Sequence, residues 1–442
     1  MKKKLLLVNP VDRSRPGIQM NSKAKYPPTA FGIISKLTPE NWEVEIIDEN
    51  IYTFEYREAD LVGFTTFTTS APRAYMLSDL YRSRGIPTVM GGVHASIMVD
   101  EALQHTDAVV IGDAENVWPM IIKDAENKCL KKTYHQPLET LENLPVADHA
   151  IFDRRYMFGS IQASRGCPMK CMYCVTPAIY NGRYLRRPVE EIINEIENHP
   201  RQHLIFVDDN LLGYTDESRR HALELVKSMA ERKLNKLWWG HIPINVADNE
   251  EFLKYASESG CKMLFIGIEA ENEEALREMG KKINLKYNAE KYEKAFATIH
   301  KHNIAVMGGF MYGFDSDTRE TMDERTRFLK KCSIDAVQVV SLMPYPGTQL
   351  NRNLAAEGRI THTNYPDDWV VYDGMTVVYK PKNISQQDFE IYMRKTFKRV
   401  FNKTALYKRY MRSRRKIGSK ETALWGYTSG QHYRNFMKRY FL

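Results

Sequence analysis

Along the first 130 residues, short apolar runs alternate with stretches whose apolar positions recur at helical spacing. The runs at 4–8, 42–47, 61–65, 87–90 and 108–111 predict strands, and the segments at 28–37, 71–84 and 97–105 predict helices. Strands this uniformly apolar, separated by helices, read as a parallel sheet covered on both faces. In an open sheet of that kind ligands gather beyond the carboxyl ends of the strands. The segments expected there are 9–17, 65–70, 91–94 and 112–113, and three of these four contain glycine.

Residues 131–157 contain Pro137 and Pro145 and keep no period, which reads as a linker on the surface. From 158 a second alternation begins. Strands are predicted at 161–164, 203–207, 237–242, 263–268, 305–311 and 336–342, with helices at 189–198, 217–232, 250–259, 289–302 and 319–331. Six strand-then-helix repeats over 158–347 predict a partial (β/α)6 barrel, whose active site would sit at the carboxyl ends of the strands. After Pro344-Tyr-Pro-Gly347 the pattern changes to irregular segments and amphipathic helices over 348–442. The fold class expected is therefore α/β: a doubly wound, Rossmann-like domain over 1–130, a partial barrel, and a small, mostly helical carboxyl-terminal region.

Composition adds little until it is mapped along the chain. With 442 residues, 43% hydrophobic and 27% charged, the chain has the make-up of a packed globular protein. Its net charge of +8 is local: residues 401–442 hold eleven Lys/Arg against the single Glu421, so the rest is close to neutral. A chain-wide nucleic-acid surface is thereby excluded. The basic and aromatic stretches 408–416 and 433–442 suit an anionic membrane surface, an RNA, or a helix pair packed on the barrel. No apolar run approaches the roughly 18 residues of a membrane helix, and the apolar run after Met1-Lys-Lys-Lys is too short for a signal peptide. The expected place is the cytoplasm, peripheral to the inner membrane surface if the tail lies on lipid.

Six cysteines are too few for a disulfide scaffold, but three are clustered. Cys167, Cys171 and Cys174 form C-x3-C-x2-C, a pattern that chance would place in such a chain roughly once in a thousand. Three thiolates suit an iron–sulfur cube with one iron left open; a zinc knuckle would need a fourth ligand such as a nearby His. Cys129, Cys261 and Cys332 lie on or near apolar stretches and read as small buried hydrophobes.

The sequence Arg165-Gly-Cys-Pro-Met-Lys-Cys-Met-Tyr-Cys174 resembles the radical S-adenosylmethionine (SAM) superfamily, with Tyr173 at the aromatic position of its cluster loop. The resemblance implies a [4Fe-4S] cluster that cleaves SAM to a 5′-deoxyadenosyl radical. It also implies where SAM is held: Asp208, Asp209 and Asn210 at its amino group, His241 and Asn245 at ribose and carboxylate, Gly267 and Glu269 near the ribose hydroxyls, and Gly308 and Gly309 against the adenine. Tyr312, Asp315, Tyr345 and Gln349 fall where substrate would enter.

Gly91-Gly-Val-His-Ala95 and Ala108-Val-Val-Ile-Gly-Asp-Ala-Glu115 resemble the cobalamin-binding domain that precedes the barrel in one class of these enzymes. The D-x-H-x-x-G motif with its cobalt-ligating His is absent, and the corresponding loop runs Asn9 to Gly17. Members of this class are expected to leave the lower face of cobalamin without a protein ligand. Thr65, Thr66, Thr68 and Ser70 offer hydroxyls to the corrin and its tail, and Gly91, Gly92 and Gly112 allow close approach. His94 either bonds a cobalamin amide or faces solvent. The implied activity is cobalamin-dependent methylation of an unactivated carbon, with a rearrangement, cyclisation or oxidation as the alternative and a metal-dependent RNA-binding or sensing protein as a remote one. The implied partners are a small-molecule or lipid-like substrate and a one-electron donor of flavodoxin or ferredoxin type.

Overall fold

The computed structural model describes residues 2–12 and 26–441, so the greater part of the loop at 9–17 lies outside the described residues. The first sheet holds β1 (Lys3–Asn9), β2 (Trp42–Asp48), β3 (Leu61–Thr65), β4 (Thr88–Gly91), β5 (Ala108–Val110) and β6 (Thr133–Tyr134). All pairs are parallel and the order is β2-β1-β3-β4-β5-β6, which reverses direction between β1 and β3. Alternation along β1 sends Leu5 and Leu7 to one face and Leu6 and Val8 to the other. The first face is covered by α1 (Thr29–Leu37) and α5 (Trp118–Glu126), the second by α2 (Ala71–Arg82). Where one helix was expected over 97–105, two short ones stand, α3 (Val93–Ile97) and α4 (Val99–His105).

The segment 131–157 is not a surface linker. It adds β6 to the sheet edge, packs Phe152 and Tyr156 into the core of the first unit, and buries Leu138 and Leu141. Its apolar residues are too irregularly spaced to show a period, yet each fills a place in the core.

The second sheet runs β7 (Gly159–Ile161), β10 (His203–Phe206), β11 (Leu237–His241), β12 (Cys261–Glu269), β13 (Ala305–Tyr312) and β14 (Ala336–Ser341), parallel and in sequential order. Between them come α7 (Val189–Asn198), α8 (Asp216–Glu231), α9 (Glu250–Glu258), α11 (Ala289–Lys301) and α12 (Arg319–Lys331), with the short α10 (Glu273–Glu278) after β12. This is the expected six-stranded partial barrel. The strand predicted at 161–164 divides: after β7 the chain turns off into β8 (Ser164–Gly166), which pairs antiparallel with β9 (Tyr184–Arg186) and brackets the cysteine loop and α6 (Thr176–Tyr180). Gly166 makes the turn possible, because at φ +82° an added Cβ would lie 2.2 Å from the Arg183 carbonyl oxygen.

The carboxyl-terminal region supplies α13 (Gln349–Ala356), α14 (Gln386–Val400), α15 (Lys403–Lys416) and α16 (Lys420–Phe441). α16 packs on the barrel: Gly426 abuts Asp335, and the Tyr433 hydroxyl accepts from the Val339 amide at 3.0 Å. Among the described residues no helix is long and apolar enough to cross a membrane.

Candidate functional site

Cys167, Cys171 and Cys174 sit in the loop after β8, and none is in a disulfide. Burial pushes the Cys171 thiol up to about 11 and raises the other two. Against that pull stand groups that favour the thiolates: the Met169 amide at Cys167, the Lys281 ammonium near Cys171, and the Thr176 amide at Cys174. Asn210 Nδ2, beside Cys167, is buried with no hydrogen-bond partner, which leaves it free for a group held at the cysteines. Donors aimed at thiolates are what an iron–sulfur cluster requires of its surroundings, so the residues present fit that group. Of the other cysteines, Cys261 and Cys332 are buried as expected, whereas Cys129 is exposed.

Glu269 ends β12 in the left-handed region at φ +65°, beside a bulge in the β12–β13 register. A non-glycine residue there costs roughly 1–3 kcal/mol and is characteristic of functional strand ends. Its Oε1 accepts from the Tyr173 hydroxyl at 2.9 Å and from Lys281 Nζ at 2.8 Å, tying the strand end to the cysteine loop. Burial alone would lower the Lys281 pKa, but Glu269 and Cys171 outweigh it and raise it. Lys281 has no sequence signal: it lies in an unremarkable Gly-Lys-Lys turn and is found only through its partners. A Cβ on Gly267 would lie 2.5 Å from Glu269 Oε1, so a side chain there would push the carboxylate from its present position.

The three residues after β10 divide. Asp208 is buried and spent on the Ser164 hydroxyl at 2.5 Å and the Ala163 amide at 3.2 Å, which corrects the expectation that it meets SAM. Asn210 is likewise turned inward, its Oδ1 accepting from the Leu212 and Gly213 amides. Asp209 is the exposed member, accepting from the Gly166 amide and the Thr176 hydroxyl beside the cysteines. Asn245 keeps a buried Oδ1 without partner. Burial holds His241 neutral, its pKa pushed down to about 4. Gly308 packs on Ile334 and Ile268, away from the lumen, while Gly309 makes room for the Phe265 ring, 2.9 Å from where its Cβ would be.

Below these strand ends the lumen is a cavity of about 770 Å³ walled by Trp239, Met263, Phe265, Met307 and, from α16, Trp425. His241 stacks edge-on to Phe265 at 4.9 Å, and Trp239 Nε1 is buried without a partner. The residues expected at a substrate entrance are elsewhere. Tyr312 is buried against Arg325 and Thr326, Asp315 is paired with Arg359 and Lys382, Gln349 is bonded to Asn353 on the surface, and Tyr345 is half-buried against the apolar core.

In the first unit a cavity of about 250 Å³ opens at the carboxyl ends of β1, β3, β4 and β5, between Phe31, Ile34, Gly63, Val110 and Trp118. Thr65, Gly91, Gly92 and Gly112 line it, and nothing lies within 4 Å of a Cβ placed on Gly112. Its size and apolar wall fit the flat nucleotide base of a cobalamin tail, not the macrocycle. Four expected contacts are corrected. Thr66 donates to the Gly91 carbonyl and accepts from Ala95, Ser70 caps Phe67, and Thr68 faces His94. His94 is fully buried, its nitrogens 3.4 Å from the Thr68 hydroxyl and 3.1 Å from Glu101, so it neither faces solvent nor reaches a ligand. Gly92 serves packing: at φ +93° its Cβ would sit 2.6 Å from the Thr66 nitrogen.

The two sites are joined. Arg165, two residues before Cys167, places its guanidinium 2.8 Å from Asp113 and 2.5 Å from Glu115, both in the loop that walls the first cavity. Burial works to raise the Glu115 pKa, but Arg165 wins and lowers it. The Tyr180 hydroxyl also donates to Asp113, at 3.1 Å.

The radical SAM superfamily matches residues 161–329 and the B12-binding domain residues 20–121. The bacteriochlorophyllide d C-12(1)-methyltransferase of Chlorobaculum tepidum is 27% identical, over 92% of this chain and 89% of its own. An anaerobic magnesium-protoporphyrin IX monomethyl ester cyclase of Cereibacter sphaeroides is 23% identical over 79% and 61%. Among solved structures, OxsB, a cobalamin-dependent SAM radical enzyme with aqua-cobalamin and SAM bound, superposes at TM-score 0.69 with 15% identity over 99% of this chain and 80% of its own.

Proposed function

The chain belongs to the radical SAM enzymes that carry a B12-binding domain, and from that premise we propose that it is a cobalamin-dependent methyltransferase acting on an unactivated carbon of an apolar small molecule. Cys167, Cys171 and Cys174 would hold three irons of a [4Fe-4S] cluster and leave the fourth to SAM. Thr65, Gly91 and Gly112 would border the cobalamin tail. When bound, these cofactors supply a carbon radical that takes a hydrogen atom and a methyl group carried on cobalt. The protein supplies position and dryness. Asp209 and Asn245 offer oxygens to the cationic and hydroxyl groups of SAM, and Glu269 holds the cysteine loop through Tyr173. The aromatic lumen admits an apolar substrate and keeps water from it, with His241 neutral at its edge. A one-electron donor of flavodoxin or ferredoxin type would start each turnover.

The observation that carries this reading is the Arg165 clamp, which fixes the first-domain cavity to the cysteine loop. A cyclisation or other radical rearrangement is the second reading, favoured by the likeness to a cyclase. The test is anaerobic reconstitution with cobalamin, assayed for iron, cobalt and the products of methyl-labelled SAM. One cobalamin per cluster, with S-adenosylhomocysteine formed beside 5′-deoxyadenosine, is expected. A full cluster without cobalamin would overturn methyl transfer in favour of the second reading.

A further inference from the structure

α15 lies across the carboxyl-terminal end of α12. Between them runs a groove of about 390 Å³ lined by Lys330, Lys408, Arg409, Arg412 and Arg415, with Tyr407 and Met411 at its rim. Neighbouring cations are answered: Lys395 and Arg399 pair with Asp323, and Lys416 with Glu293. Among the described residues the five groove cations have no such partner.

Two of them are turned inward. Arg409 is 2% exposed, and Arg412 donates from Nη1 to the Lys331 carbonyl at 2.6 Å. Arg409 donates from Nη2 to the Leu329 carbonyl at 3.1 Å. Capping the last turn of α12 explains those two bonds. It leaves Arg409 Nε and Nη1 and Arg412 Nε buried with no acceptor. Burial, with Arg412 beside it, pushes the Arg409 pKa down to about 10, against the smaller opposing pull of Cys332 and Asp335, neither of which bonds to it. An unanswered buried guanidinium is costly and is kept in proteins where something completes it.

We propose that this groove is a second ligand site, taking a phosphate-bearing anion held by Arg409 and Arg412 and surrounded by Lys330, Lys408 and Arg415. Guanidinium forks match the paired oxygens of a phosphate, and lysines add charge without demanding geometry. Lys408, Arg412 and Arg415 recur at one face of α15, so their side chains reach one position. The volume accommodates a phosphomonoester or diphosphate, and the half-apolar rim suits the group that carries it. That carrier is either a free phosphorylated molecule or the headgroup of an anionic lipid.

The holoenzyme is titrated with inorganic pyrophosphate by calorimetry and, separately, floated with vesicles of phosphatidylcholine alone or mixed with phosphatidylglycerol. Saturable pyrophosphate binding without flotation assigns a free phosphorylated ligand; flotation only with phosphatidylglycerol assigns a headgroup. Either is expected to weaken about tenfold or more in the Lys408→Gln/Arg412→Gln/Arg415→Gln protein. That protein should keep its iron content and SAM cleavage, since none of the three nears the cysteine loop. Arg409→Met should melt higher than wild type without ligand and lose the rise in Tm that pyrophosphate gives. Binding of neither probe, or undiminished binding by the triple variant, overturns the proposal.

Discussion

Replacing Arg165 by Met removes the one cation that, among the described residues, answers Asp113 and Glu115. At 2.5–2.8 Å each attraction is about 6 kcal/mol at an effective dielectric constant of 20, an upper figure before desolvation. Breaking a buried pair from one side costs about 3–5 kcal/mol, because two carboxylates are left in a site where each is at most a tenth exposed. Local opening should therefore become roughly a hundred to several thousand times more frequent, at tenfold per 1.4 kcal/mol. Hydrogen exchange at Gly166 and at Gly112–Glu115 reads this opening directly. Glu115→Gln alone should cost less, about 1–3 kcal/mol, and the double variant should be more stable than the two single losses predict. The pH dependence has a definite sign. Because the Glu115 pKa is depressed in the folded protein, the clamp stabilises fully above the ordinary glutamate range and weakens as pH falls through the folded value. Arg165→Met should lack that acid limb. Additivity of the two substitutions within about 0.5 kcal/mol would refute a clamp between the two units.

Cys171→Ala should retain the fold but lose iron and SAM cleavage together, since its thiol supplies one of three ligands; cleavage that survives in this variant would sink the cluster assignment. Gly91→Leu should lower bound cobalamin per iron without unfolding, because a Cβ there meets only Val110 at 3.6 Å while the longer side chain fills the first-domain cavity; a full cobalamin complement would move the tail elsewhere. Asp208, whose pKa burial raises to about 6, favours folding fully below about 3.8 and ceases to as pH rises through 6. Asp208→Asn should thus flatten the stability profile between those values, a change of roughly 3 kcal/mol read by urea unfolding across pH. Lys281→Met leaves Glu269 buried without its cation and should slow SAM cleavage while preserving iron content; loss of iron would instead make Lys281 a ligand-loop residue.

Much of the architecture was legible because the strands are short apolar runs whose period differs from that of the flanking helices. Strand limits over 61–65 and helix limits over 189–198 and 319–331 follow from pattern alone. The cysteine triplet was legible for a chemical reason: three thiols at that spacing have few causes. Pattern failed where the chain changes partner without changing composition, as at Gln162 and Ala163, where β7 gives way to β8.

Polar residues were the least legible, and the reason is physical. A threonine or histidine beyond a strand end carries the same sequence signature whether it meets a ligand or the protein. His94 is decided by Glu101, seven residues on, and Glu101 in turn by the Trp369 indole, which donates to both its oxygens at 3.0 Å from 268 positions away. Tyr75 completes that carboxylate's shell at 2.8 Å. No local period encodes such a partner. Its consequence is mechanical: beyond the apolar packing between the two sheets, polar ties hold the first unit to the rest of the chain at well-separated places, among them Arg165 at the cysteine loop and Trp369 at α4. One attachment would leave the first domain free to pivot about it. Two restrict the separation and tilt of the first-domain cavity relative to the cysteines, which is the geometric condition for passing a group between cofactors held by different domains.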